Sequence, residues 1–117
     1  MNSPVRKPER WSATSGSRDV ARLDIPADAQ RERTFEIDVR LVVANKAARR
    51  DATHGLRVLV DGALEWARTI PTPVDGPDTL ELRLRRTVPL GRPLRLNASC
   101  ELHGSQRVSL SISAEEE

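Results

Sequence analysis

The side chains best equipped for chemistry are His54, His103 and Cys100, the carboxylates Glu36, Asp38, Glu81 and Glu101, and a large population of arginines. Imidazole and thiolate are the usual zinc ligands, but structural zinc sites present them in short pairs such as Cys-x-x-Cys or His-x-x-x-His. Here the three soft ligands stand far apart and no such pair occurs. A calcium loop needs acids alternating around a central glycine. Asp75-Gly76-Pro77-Asp78 has the wrong spacing and a proline in its middle. His54 precedes Gly55 and His103 precedes Gly104, as turn residues do. An activated serine would sit in Gly-x-Ser-x-Gly or Ser-x-x-Lys, and neither pattern occurs. No catalytic residue, metal or cofactor is therefore expected, and the chain reads as a non-enzyme.

Arginine is the more distinctive feature. Of the 19 basic residues all but Lys7 and Lys46 are Arg, the bias of a GC-rich bacterial genome. The formal net charge of +2 is too small to imply a polyanionic partner. Arg forks nevertheless suit phosphate and carboxylate, and Arg83, Arg85 and Arg95 fall on outward strand positions as a candidate exposed Arg surface. Sheets that read nucleic acid usually add exposed aromatics for base stacking. Phe35 and Trp66 instead have inward parity, so weak nucleic-acid binding ranks below a ladder in which Arg neutralises neighbouring Glu and Asp.

A second arginine pattern resembles a known family. Arg6…Arg10 and Arg18…Arg22 precede Asp51-Ala52-Thr53-His54-Gly55. Their order and separation are similar to those of PilZ domains, small barrels that bind cyclic di-GMP through Arg-x-x-x-Arg and a later Asp/Asn-x-Ser-x-x-Gly. The likeness covers about the first half of the chain and departs at two points: Thr53 replaces Ser, and Gly55 comes one residue early. The resemblance implies a small anionic ligand held by Arg18, Arg22, Asp51 and Thr53.

These groups need elements to position them. At 117 residues the chain is long enough for one hydrophobic core. Aromatics are only 3% of it, so that core must be built from Leu, Val and Ile. Cys100 is the single cysteine, which excludes an intrachain disulfide. It falls on an inward position and reads as a small hydrophobe with a raised pKa. The longest uncharged apolar run, Leu41-Val42-Val43-Ala44, is far short of a membrane span or signal-peptide core. With Met1 as the natural start, the expected location is the cytoplasm, and Asn97-Ala98-Ser99 is then a coincidental glycosylation sequon.

Alternation with period two marks strands with one buried face. It recurs at Phe35-Ile37-Val39-Leu41-Val43, Leu80-Leu82-Leu84, Leu94-Leu96-Ala98-Cys100-Leu102 and Val108-Leu110-Ile112, with a shorter form at Ala21-Leu23-Ile25. Asp61-Gly62 marks a hairpin. A type I turn with a bulge at Gly62 would pair Val58 with Leu64 and gather Leu56, Val58, Val60, Leu64, Trp66 and Ile70 on one face. That register is preferred to a two-residue type I′ loop, which would pair Leu59 with Leu64.

The expected strands are 19–25, 34–44, 55–60, 63–70, 79–87, 93–102 and 107–113, separated by turn-rich segments. The fold class is all-β: a seven-stranded antiparallel immunoglobulin-like sandwich over 18–114, with a small closed barrel as the alternative. Residues 1–17 read as a flexible tail whose basic, Trp11-containing stretch from Val5 could dock, and 115–117 as a solvated acidic end. The leading functional expectation is a non-catalytic module in contact with another protein or with itself. The contact would use a sheet edge or the turn clusters at 46–54 and 71–78.

Overall fold

The computed structural model describes residues 7–117; Val5 and Arg6, the start of the expected docking stretch and of the first Arg-x-x-x-Arg, lie outside the described residues. Eight strands follow in chain order: β1 Arg10–Thr14, β2 Val20–Ile25, β3 Arg33–Ala44, β4 Thr53–Val60, β5 Ala63–Pro71, β6 Asp78–Val88, β7 Leu94–His103 and β8 Gln106–Glu116. All pair antiparallel, in one sheet of order β1-β8-β3-β6 and a second of order β2-β7-β4-β5. Among the described residues no helix is long and apolar enough to cross a membrane.

An all-β sandwich is therefore present, with two corrections. Among the described residues the sheets remain open rather than closing into a barrel, and the strands number eight in a four-plus-four division. An immunoglobulin constant-type sandwich divides four plus three. The hydrogen-bonded partners β1·β8, β2·β7, β3·β6 and β4·β5 trace one long hairpin with its tip at Asp61-Gly62. Alternate pairs lie in opposite sheets, and β3·β8 and β4·β7 join them. This is the winding of a jelly roll.

The period-two residues form the core. Phe35, Val39, Leu41, Val43, Ile112 and Ala114 of one sheet are fully buried against Ile25, Val58, Leu96 and Ala98 of the other. Two bulges reset the parity, and each moves a side chain from its expected face. The β4–β5 loop is a two-residue turn with φ of 50° at Asp61 and 83° at Gly62. Positive φ at both central residues is the type I′ turn, whose twist matches that of the strands. Val60 pairs with Ala63 and Leu59 with Leu64, and the register then shifts so that Val58 faces Trp66. The bulge thus sits at Glu65 rather than Gly62. Trp66 and Ile70 pack against the core as expected, but Leu64 turns outward and is 54% exposed. On β8, Val42 faces Ser109 and Val43 faces Arg107, leaving Val108 as the extra residue. Val108 is exposed, and Arg107 takes an inward position that no alternation starting from Val108 could foresee. There its guanidinium donates to the Gly16 carbonyl at 2.8 Å and contacts Asp19 at 2.5 Å, clamping the β1–β2 connection.

β1 falls within the segment expected to be a flexible tail. Its alternation is short, Trp11 and Ala13 half-buried between exposed Arg10, Ser12 and Thr14, and it is completed by distant groups. Glu9 accepts hydrogen bonds from Arg33 Nη1 at 2.9 Å, Arg31 Nη2 at 2.7 Å and Trp11 Nε1 at 3.0 Å. Arg31 also binds Glu116, the last residue of β8, whose side chain is 7% exposed, so the expected solvated acidic end is partly buried. Arg33, only 4% exposed, donates to the Pro26 carbonyl at 2.7 Å and lies over the Phe35 ring. The network fastens the first strand to the last.

Removing one partner of a buried ion pair leaves the other uncompensated, at a cost of about 3 kcal/mol or more. Arg33→Ala should lower stability to urea by about 3 kcal/mol and free the β1 amides to exchange. A loss under about 1 kcal/mol would mean that the network is ornamental.

Candidate functional site

Two of the predicted binding residues from different strands, Arg22 and Arg95, come together around one carboxylate. At the hairpin-tip end of the second sheet, β2 and β7 run antiparallel with Arg22 facing Asn97 and Asp24 facing Arg95. Asp24 takes Arg95 Nε at 2.9 Å and Arg22 Nε at 3.3 Å, and the Arg95 hydrogen bond holds its carboxyl below the ordinary range. Asp61 at the tip reaches across to β7, its Oδ1 accepting from the Arg95 amide at 2.9 Å and its own amide donating to the Arg95 carbonyl at 2.8 Å. Together with Pro26, Pro93 and Leu94 these groups line an open cleft of about 690 Å³. The guanidiniums of Arg22 and Arg95 are balanced there by the carboxylates of Asp24 and Asp61, so the cleft carries no net formal charge to draw an anion.

The other residues of the PilZ-like set lie elsewhere. Thr53 opens β4 opposite His103, while Arg22 faces Asn97, six residues back along β7. At roughly 3.3 Å per residue that separation is about 20 Å. Asp51 accepts from Arg49 Nε at 2.9 Å and Nη2 at 2.7 Å, with His103 Nε2 at 3.6 Å. The Arg49 hydrogen bonds bring its carboxyl down to about 2. Arg18 lies in the exposed β1–β2 connection, its carbonyl capped by Arg107. The three surface arginines divide between the sheets. Arg95 belongs to the second, while Arg83 and Arg85 lie on β6 of the first, facing Asp38 and Glu36 of β3. Arg83 Nε is 3.0 Å from Glu81, and Arg85 is paired with Glu117. Glu81 also lies 3.5 Å from Arg40, the residue opposite it. Asp38, partly covered in this ladder, has its carboxyl pushed up by burial and by Glu81.

Two groups with chemical potential are sealed inside. Burial pushes the Cys100 thiol up to about 11, with Asp19 adding to the effect. His54, expected in a turn, is instead fully buried near the start of β4. Its Nδ1 lies 2.6 Å from the Thr72 hydroxyl, and Asp78 Oδ2 lies 3.4 Å from Nε2 without hydrogen-bond alignment. The order Thr–His–Asp has the outline of a catalytic relay, but Thr72 is buried, at 3% exposed. No neighbouring motif marks His54 as buried; only its position on the inward parity of Leu56 and Val58 could have shown it. Among the described residues, no group of three or more His, Cys, Asp or Glu side chains could hold a metal.

The feature that sequence alone could not place is the edge of the first sheet. β6 pairs with β3 on one side and, among the described residues, with no strand on the other. Leu82 and Leu84 on its inward face are only half-buried, as are Trp66 and Ile70 of β5 on the same flank. Arg86 and Glu65 form an ion pair between the two strands. The sandwich is thus less completely covered along this side.

No protein-family model and no curated protein matches the chain. Among solved structures, dimeric latent PorU from Porphyromonas gingivalis aligns at a TM-score of 0.49 and 12% identity, over 95% of this chain and 13% of that one. The TNF protein Eiger from S. frugiperda aligns at 0.47 and 10% identity, over 96% of this chain and 94% of that one. This chain spans only a small part of the length of PorU. With both TM-scores under one half, neither likeness carries an argument about function.

Burial lowers the pKa of His54 from 6.5, with Asp78 opposing the shift. Below pH 6.5 the unfolded chain therefore takes up a proton that the folded one resists, and stability falls as pH drops through that value. His54→Asn should flatten the decline in unfolding free energy between pH 7.5 and 5.5. An equal decline in both proteins would contradict this account of His54.

Proposed function

We propose that this protein is a non-catalytic β-sandwich module that works through contact with protein, self-association being its simplest form. The observation that carries this reading is the β5–β6 flank, where apolar side chains are half-covered and the regular edge of β6 offers its outward backbone groups. Extended backbone edges of this kind bind by adding a strand.

The groups that could serve other functions have partners inside the chain. Arg83 and Arg85 face carboxylates across the ladder, Arg22 and Arg95 share Asp24, and the Thr72 and Cys100 side chains lie in the interior. No observation favours the cyclic di-GMP or nucleic-acid reading over protein contact.

Light scattering coupled to size exclusion, from about 1 µM upward, together with co-purification from the native source, tests the proposal. The expected result is a mass that rises with concentration toward a multiple of the 13.0 kDa chain, or a stoichiometric protein partner. A strict monomer recovered alone would overturn it.

A further inference from the structure

The charges of β6 are arranged about a centre. Reading outward from Leu82, Glu81 stands on one side and Arg83 on the other, then Leu80 and Leu84, Thr79 and Arg85, and finally Asp78 and Arg86. The acids lie toward the start of the strand and the bases toward its end, while the leucines are disposed evenly. Antiparallel pairing of a strand with its own copy matches residues equidistant from the symmetry axis. Such a strand therefore complements itself.

Resting on the protein-contact reading above, we propose that the partner is a second copy of this chain, joined β6 to β6 in antiparallel register with the two-fold axis at Leu82. In that register Glu81 faces Arg83 of the second copy and Arg83 faces Glu81, both pairs on the outer face. Asp78 and Arg86 meet twice on the inner face. Leu80 lies opposite Leu84, and Leu82 opposite itself, covering the leucines that the monomer leaves half-buried. The two first sheets merge into one of eight strands.

Neighbouring registers fail on charge or pattern. An axis at Arg83 sets two guanidiniums against each other, and an axis at Glu81 does the same with two carboxylates. An axis at Leu84 places Arg83 against Arg85, and an axis at Leu80 brings Asp78 against Leu82. Like charges directly opposite are destabilising in a sheet. The charges that discourage other pairings at this edge thus select one. No bulge interrupts β6 against β3, so its outward backbone groups are regularly spaced along its length. By contrast β5, on the same flank, carries a bulge at Glu65, an exposed Arg68 on the inward parity of Leu56, and Pro71 at its end.

Charge reversal at positions 81 and 83 tests the register. Glu81→Arg makes the centre of β6 wholly basic, and Arg83→Glu makes it wholly acidic. Because each change enters the symmetric interface twice, either should weaken self-association about tenfold or more at low salt. An equimolar mixture of the two variants sets a basic strand against an acidic one at both positions and should restore dimers at wild-type concentrations. Circular dichroism melts confirm that each variant folds. Dimers unaffected by either reversal would overturn this register while leaving the protein-contact reading intact. A wild-type monomer at all concentrations would overturn the proposed dimer, and the absence of any co-purifying protein as well would remove both.

Discussion

A sheet that does not close must end on two strands whose outward N–H and C=O groups find no partner within it, and among the described residues two open sheets give four such edges. The treatment of those edges organises the rest of the structure. β1 is five residues long and fastened by the Glu9–Arg31–Arg33–Glu116 network. β2 is six residues long and carries Asp24 between Arg22 and Arg95 on its outer side. β5 is broken by its bulge and stopped by Pro71. β6 is long, regular and unbroken, and its defence is a charge pattern that its own reverse satisfies.

The same constraint explains the abundance of arginine. On the outer face of the first sheet, Glu36 faces Arg85, Asp38 faces Arg83 and Arg40 faces Glu81. Exposed pairs of this kind contribute little stability individually, because water and salt screen them. Their effect is on register, since a slip of one residue would set charges against leucines. The buried network around Arg33 acts differently. There a guanidinium is nearly enclosed, and its carboxylate partner Glu9 directly precedes β1, so an electrostatic contact adds to the β1–β8 backbone pairing in holding that strand to the fold.

Much of the strand layout could be read in the sequence because one buried face imposes period two: five of the eight strands lie where that alternation placed them, and β4 and β5 lie where the Asp61-Gly62 hairpin did. The failures have identifiable causes. β1 is too short to show a period and depends on Arg31 and Arg33, some twenty residues away. Val108 and Leu64 change faces at bulges, which no alternation encodes, and Asp61-Gly62 adopts the type I′ turn that its dipeptide favours while the bulge moves to Glu65. Strand order depends on winding that no local signal records. The separation of Arg22 from Thr53 was invisible for that reason, as was the edge position of β6, although the symmetry about Leu82 is present in the bare sequence.

Hydrogen exchange along β6, followed by NMR at low and high protein concentration, tests the central claim most directly. If β6 pairs with its own copy, the outward amides on either side of Leu82 gain protection as concentration rises, at every second residue, while those of β5 do not change. Unchanged β6 protection, or a gain confined to β5 or to the hairpin-tip cleft, would contradict the account.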